Sequence, residues 1–367
     1  MISRLHIRGY RSVRDIRLNL TNLNVLTGIN GCGKSNLYRS LMLLQSAAAG
    51  RFSEMIAEEG GMPSILWAGP ATKDPRRMDI SVSFTSGLSY EIQCGAPDPD
   101  SVPVVFKRDP HIRCEKICVN KSIMVDRGNT GVMLRTDAGD RVTVSVSPSE
   151  SVLSQIVDPA RYPWVTSTRF ELASWRFYHA FRTDEGSPIR QPQICSMSPV
   201  LSSDGRNLAA AILTIYAIGD RESFEKFVFD ALGGAKVVIT VDDNNRCRIQ
   251  LVGHGLNRPL EASELSDGTL RFLCLLAAML SPRPPKLIGL NEPETSLHPD
   301  VLPSLAKIIA KVAITNQVWM VTHAVQLAAD VTRQFGNSPL ALCMRAGATE
   351  ACDSHSIDGA FFFDKDH

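Results

Sequence analysis

The rhythm of apolar and polar residues changes three times along the chain. In "RLHIRGYRSVRDIRLNL" (Arg4 to Leu20) the two kinds alternate on either side of a turn region at Gly9 and Tyr10, which predicts a β-hairpin or two adjacent strands. "LNVLTG" (Leu23 to Gly28) is a short apolar run and reads as a buried strand. In "SNLYRSLMLLQSA" (Ser35 to Ala47), Leu37, Leu41 and Leu44 fall at helical spacing. The opening unit is therefore strand, glycine-rich loop, helix.

Between residues 51 and 160 the pattern breaks into short alternating runs such as "DISVSF", "EKICVN", "GVMLRT" and "RVTVSVS", punctuated by Gly, Pro, Ser and Asp. That predicts an antiparallel β-rich insertion or lobe. "SWRFYHAF" (Ser174 to Phe181) reads as a further strand. A helical stretch follows over 200–235, with Asp204 as the expected N-cap of its first helix and Gly233 as its stop. "KVVITVDDNNRCRIQLVG" predicts a hairpin turning at Asp243 and Asn244. From Glu264 onward, helices alternate with the short apolar strands "KLIGL", "QVWMVT" and "LALCMR". Such alternation implies a mostly parallel sheet. The predicted fold class is α/β, with a mostly parallel core sheet, an antiparallel β subdomain and a helical lobe. The expected layout is one bilobed domain over 1–330, with the last strand and a C-terminal tail over 331–367.

Composition narrows this little. The chain has 367 residues, 44% of them hydrophobic, and a net charge of +1. That permits a large core and gives no overall sign for nucleic acid or membrane. The nine cysteines are scattered. The closest pair, Cys114 and Cys118, has no second pair at zinc spacing. The N-terminus lacks the apolar core of a signal peptide, and the longest apolar stretch, "FLCLLAAML", is too short to span a bilayer. A cytoplasmic protein without membrane contact is expected.

The chemistry sits at both ends. Gly28-Ile29-Asn30-Gly31-Cys32-Gly33-Lys34-Ser35 fits G-x-x-x-x-G-K-[ST], between an apolar strand and a helix. Its glycines let backbone N–H groups curl around phosphate oxygens, Lys34 reaches the β- and γ-phosphates, and the Ser35 hydroxyl ligates Mg²⁺. Asn36 extends the loop at the positive end of the helix. In "ELSDGTLRF", Ser266, Asp267 and Gly268 precede a helix and can form a second anion site; the same letters also make a plain helix N-cap. "KLIGLNEPETSLHPD" delivers Asn291 and Glu292 to a strand end, where enzymes of this type usually place Asp and Glu. "VWMVTHAVQ" puts His323 at the end of the next strand.

This combination resembles the ABC-type ATPases. More narrowly, "LSDGTLRFL", "LNEPETSLHPD" and "VTHAVQLA" resemble predicted bacterial AAA-type ATPases related to the heads of SMC, recombination and overcoming-lysogenization-defect proteins. The resemblance is strong over 1–50 and 262–330 and weak over 51–160. It implies ATP and Mg²⁺ as cofactors, Glu292 as the base that orients water, His323 as the switch histidine, and Ser296, Leu297 and His298 as a loop across a dimer interface. It also implies that Ser266–Gly268 contact ATP held by a second copy, so that a homodimer forms around the nucleotide. "SWRFYHAFRTDEGSPIRQP" also looks like a family segment, without a chemistry the residues alone reveal. Arg182 is its candidate link between lobes.

Asn291 keeps an acceptor oxygen and loses the charge that helps retain Mg²⁺, which predicts a slow ATPase rather than a dead one. DNA is a candidate partner through Arg4, Arg8, Arg11 and Arg14; the alternative is an ATP-binding scaffold for an effector protein. A transporter motor is disfavoured by the altered signature and the roughly 250 residues between P-loop and Glu292. The absence of heptads excludes a long coiled-coil arm. The 44 residues after His323 are too few for a metal-nuclease domain. Asp364 and Asp366 are not expected to bind metal, and Phe361 to Phe363 could dock on this chain or on a partner.

Overall fold

The computed structural model describes residues 1–70, 76–98, 103–128, 131–253 and 255–352. Asp364, Asp366 and Phe361 to Phe363 lie outside the described residues. The chain divides into two compact units. Of the described residues, one comprises those of Met1–Thr21, Leu26–Trp175 and 340–352; the other comprises those of Asn22–Val25 and Arg176–Pro339.

The first unit opens with the predicted hairpin, β1 (Ile2–Tyr10) and β2 (Val13–Asn19), but it turns at Arg11 and Ser12, and Gly9 and Tyr10, the expected turn, lie within β1. β3 (Leu23–Thr27), whose first residues belong to the second unit, runs into the glycine loop and α1 (Lys34–Ala48). Two short helices follow that alternation did not predict: α2 (Phe52–Glu58), which buries Phe52 and Ile56 one turn apart, and α3 (Met62–Ile65). Then come β4 (Arg77–Phe84), β5 (Leu88–Gly95), β6 (His111–Val119), β7 (Ser122–Gly128), β8 (Gly131–Arg135) and β9 (Arg141–Val144). α4 (Val152–Gln155) and α5 (Pro163–Ala173) complete this stretch.

The hairpin and the six later strands form one antiparallel sheet, ordered β2-β1-β4-β5-β6-β7-β8-β9. The largest sheet is thus antiparallel, and it takes in the N-terminal strands. Period-two patterning puts one set of side chains inward. Cross-strand register aligns Leu5, Val82, Tyr90, Ile117, Val125 and Leu134 in one buried row. The neighbouring row runs Ile7, Ile80, Ile92, Glu115, Arg127 and Val132. Two charges therefore face each other inside an aliphatic row. Arg127 donates to Glu115 at 3.3 Å, and the carboxylate also accepts from the Tyr90 hydroxyl (2.7 Å), the Ser151 hydroxyl (2.5 Å) and the Val152 N–H (3.0 Å). Burial pushes the Glu115 carboxyl above the usual carboxylate range, against these bonds.

The second unit begins with β10 (Arg176–Tyr178), much shorter than the strand expected over 174–181. β11 (Gln193–Ile194) precedes α6 (Leu208–Ile218) and α7 (Arg221–Ala231). Asp204 does not cap α6, which starts after Asn207; the capping carboxylate is that of Asp220 on α7. Gly233 lies just past α7 with φ +60, a left-handed conformation glycine adopts freely. β12 (Lys236–Val241), β13 (Arg246–Val252) and β14 (Leu260–Glu261) form, with β11, a small antiparallel sheet. α8 (Asp267–Met279), β15 (Leu287–Asn291), α9 (Leu302–Ala313), β16 (Gln317–Val321) and α10 (Val325–Phe335) complete the unit.

β10, β15 and β16 pair in parallel, as the alternation predicted, and residues 22–25 run beside β16, where Val318 N–H donates to Asn22 O at 2.7 Å. Ile288, Leu290, Val318 and Met320 on the strands pack with Leu273, Leu276, Leu305 and Ile309 on the helices as one core. This packing carries two strand ends, Asn291 and Val321, to one edge, and the polar residues of the motifs follow both.

In the first unit, β17 (Leu340–Arg345) pairs in parallel with the last residues of β3, and β18 (Ala348–Ala351), which was not foreseen, folds back on β17. No helix among the described residues is long and apolar enough to cross a membrane.

Candidate functional site

The glycine loop of the first unit is fixed by its backbone. Gly28 has φ +147, and a β-carbon there would overlap the Leu342 carbonyl. Gly33 has φ +97, and a β-carbon there would run into the Thr349 hydroxyl on β18. Both positions demand glycine for conformation and for space. Gly31 has φ +80 with nothing near its missing side chain, and Asn30, Gly31 and Ser35 are exposed. Cys32 is fully buried, its N–H bonded to Ile29 O (3.3 Å) and its Sγ 3.8 Å from the Lys34 ammonium. The buried Lys34 ammonium donates to Gly28 O (2.7 Å) and Ile29 O (2.9 Å) and closes the loop on itself. The Asn36 amide turns to the Ser12 hydroxyl (2.8 Å), which also bonds the Thr349 hydroxyl (2.7 Å). Ser12 and Thr349 carry no motif, and nothing in the sequence marked them.

In the second unit the functional side chains converge from three segments. Glu292 follows β15 with φ +49, a strained conformation for a residue with a side chain, and its N–H bonds Val321 O at 2.7 Å. Its carboxylate meets the His323 Nε2 at 2.8 Å, both side chains being about a third exposed (36% and 38%). Asn291 Oδ1 is buried and, among the described residues, has no hydrogen-bond partner. Glu294, which sequence reasoning passed over, holds the strand ends together. Its Oε1 accepts from the Thr322 hydroxyl (2.6 Å), His323 N–H (2.9 Å) and Ala324 N–H (3.1 Å). The visible signal was a second carboxylate two residues after Glu292.

The start of α8 lies against the loop after β15. A β-carbon on Gly268 would stand 2.5 Å from Ser296 O, so glycine is required by close approach. Arg271 donates to Glu292 O at 3.2 Å. Burial lowers the Arg271 pKa from its ordinary value. Ser266 caps α8 by accepting from Thr269 N–H (3.1 Å). Asp267 is paired with Arg190 at 2.7 Å. The structure thus brings Ser266–Gly268 beside Ser296, and Glu292 beside His323. His298 instead caps the turn after it, by accepting from Asp300 N–H (3.3 Å). Arg182 lies exposed beside Asp184, and the buried guanidinium of that segment belongs to Arg190.

Of the four hairpin arginines, Arg11 is committed internally. It donates to the buried Glu59 at 2.7 Å, beside the Tyr10 hydroxyl at 2.9 Å. Arg4 and Arg8 are half-buried on β1, and Arg14 is exposed. No cluster of metal-ligating side chains occurs among the described residues, Cys114 and Cys118 included.

The donor types fit ATP and Mg²⁺. The first unit offers a loop with no room for β-carbons and an exposed Ser35 hydroxyl at a helix start; the second offers an unpartnered amide oxygen and a carboxylate–imidazole pair.

Comparison with known proteins supports a P-loop ATPase with an ABC-type, SMC-head-like fold. Residues 1–123 match the family model described as AAA ATPase domain. Residues 166–329 match the one described as AAA domain, putative AbiEii toxin, Type IV TA system. Among solved structures, the chain resembles an Smc head bound to the C-winged helix domain of ScpA, with a TM-score of 0.55, 14% identity and 97% of each chain covered. It also resembles the Smc head with an extended coiled coil bound to the C-terminal domain of ScpA derived from Pyrococcus furiosus. That match has a TM-score of 0.52 at 12% identity, covering 97% of this chain and 96% of the other. At such identities the likeness is one of fold. No curated protein matches the chain in sequence.

Proposed function

We propose that this chain is a slow ATP-dependent dimerising switch that hydrolyses ATP, working in DNA repair and recombination or in phage defence. The observation that carries the reading is the Glu292–His323 pair at 2.8 Å beside the unpartnered Asn291 Oδ1. A carboxylate held by an imidazole at a strand end is suited to orient a water molecule for attack on a phosphate. Lys34 and the loop backbone bind the phosphates. Ser35 and Asn291 are the residues that would hold Mg²⁺, which when bound neutralises phosphate charge. Asn291 offers an oxygen without a charge, so metal retention is weakened and turnover slow. In this reading residues 1–330 work as one ATPase domain, and Ser266–Gly268 meet the nucleotide of a second copy in a two-fold dimer.

A second reading is favoured by the internal commitment of Arg11 to Glu59, which removes one charge from the supposed DNA contact. There the chain is an ATP-dependent scaffold for an effector protein, without DNA. ATP turnover with Mg²⁺ and the oligomeric state, for wild type and Glu292→Gln, test both. Slow turnover in wild type and an ATP-trapped Glu292→Gln dimer are expected. Binding without hydrolysis in either protein would leave a binding module. Salt-dependent DNA retention would separate the two roles.

A further inference from the structure

The proposed function puts phosphate at the start of α8, and an acidic residue stands there. Asp267 is the first residue of α8, and its side chain is 61% exposed. A carboxylate suits a helix N-terminus, because it complements the partial positive charge of the unpaired N–H groups. The same carboxylate repels an incoming polyphosphate and competes for those N–H groups.

Arg190 answers both problems. It comes from the 183–190 segment, whose sequence stood out without revealing a chemistry. Its side chain is 8% exposed, and every guanidinium nitrogen is used. Nε donates to Thr183 O at 2.9 Å. One terminal nitrogen donates to the carbonyls of Ala262 (3.1 Å), Ser263 (3.2 Å) and Leu265 (2.7 Å). The other donates to Asp267 at 2.7 Å. Leu265 immediately precedes Ser266, and Gly268 rests on Ser296 O. One planar fork therefore ties the turn before α8 to the loop that supplies it, and draws the Asp267 carboxylate aside. A lysine could supply the charge but not the fork.

We infer that Arg190 is a positioning residue for the phosphate-receiving start of α8: it fixes the turn before the helix through the carbonyls of Ala262, Ser263 and Leu265 and neutralises Asp267 toward ATP. This rests on the proposed function. A guanidinium serving only as a strut would hold the carbonyls equally well, and the charge on Asp267 would then be irrelevant.

The test compares wild type, R190Q, R190K and R190Q/D267N. Steady-state ATP turnover is measured with Mg²⁺, and amide hydrogen exchange over residues 265–270 without nucleotide. In R190Q we expect kcat to fall about tenfold or more, as for other residues that orient a functional group, with faster exchange at 265–270. R190Q/D267N should regain most of the lost turnover, because the uncompensated carboxylate is gone. R190K, which keeps the charge and loses the fork, should exchange faster while losing less turnover than R190Q. Wild-type exchange in R190Q, or in R190K where R190Q does not fold, overturns the positioning role. A double variant no faster than R190Q overturns the charge role and leaves a strut. If wild type itself turns over no ATP, the proposed function falls, and the exchange rates alone decide whether Arg190 positions this helix start.

Discussion

The loop before α1 and the strand ends of β15 and β16 each hold a set of polar groups, and they are held by different means. The loop is shaped by its own backbone: three glycines at positive φ, two of them where no β-carbon fits, and a lysine folded back on neighbouring carbonyls. The strand ends are shaped by side chains that arrive from far along the chain: Glu294 on Thr322 and His323, Arg271 on Glu292, Arg190 on Asp267. The first kind of site leaves no room for a side chain at Gly28 or Gly33 and needs few helpers. The second spreads its requirements over residues distant in sequence from the strand ends.

The sharpest way to break this contrast is at Gly33. Alanine there must adopt φ +97 and displace Thr349. We expect a cost of about 3 kcal/mol, read as a loss of ATP affinity of about 100-fold by titration. Retention of affinity within about threefold would mean that the loop is soft and the contrast false.

Glu294→Ala is the matching change in the second unit. It frees the Thr322 hydroxyl and the His323 N–H, and leaves the Ala324 N–H only the Thr322 hydroxyl as acceptor. Turnover should fall about 10- to 100-fold with ATP affinity nearly unchanged. A variant that binds ATP poorly but turns over normally would refute the division of labour.

This contrast also explains what could be read from the letters. The glycine loop was legible because its requirements are local: spacing, conformation and chain direction all lie within eight residues. Glu292 and His323 were legible because apolar strands point at them. Arg190, Arg271, Ser12 and Thr349 were not, since each acts through a contact that only the tertiary fold creates. Cys32 shows the converse. It sits inside the motif, yet its side chain faces the interior. α2 and α3 escaped because a seven-residue and a four-residue helix leave little periodicity to detect. The antiparallel sheet was visible as alternation, but its inclusion of β1 and β2 depends on pairing across some seventy residues, as between Ile7 and Ile80.

A smaller effect is expected at the rear of the loop. Thr349→Val keeps the volume and removes the hydroxyl bonded to Ser12. Stability should drop by about 1 kcal/mol in a denaturation experiment, and ATP affinity by a few-fold at most. A loss as large as that of Gly33→Ala would show that side chains, not backbone, shape the loop.

The smallest effect concerns a tie remote from both sites. Asp220 caps α7 and pairs with Lys311 on α9 at 2.9 Å. The Ser223 hydroxyl first, and Lys311 second, hold its carboxyl down to about 2. The folded pKa is thus below the unfolded value of about 4. The stabilisation is present above about pH 4 and is lost as pH falls through 2. Because the group is half exposed, the gap between wild type and Asp220→Ala should be about 1 kcal/mol at neutral pH and should close by about pH 2. ATP turnover at neutral pH should not change. An undiminished stability gap in acid would assign the effect to packing.

The charged pair inside the antiparallel sheet bears on which alignment of β6 and β7 is favoured. β6 and β7 are joined by Asn120 and Lys121, both at positive φ, the geometry of a two-residue hairpin turn. Alternation alone would tolerate a slip of two residues between these strands, because every apolar side chain would still face inward. A slip of two separates Glu115 from Arg127 and sets Glu115 opposite Val125 in one direction or Arg127 opposite Ile117 in the other, at a cost of roughly 3 to 5 kcal/mol. The correct alignment is the one in which neither charge is stranded, so a pair that adds little to the native state works as a proofreader of strand alignment.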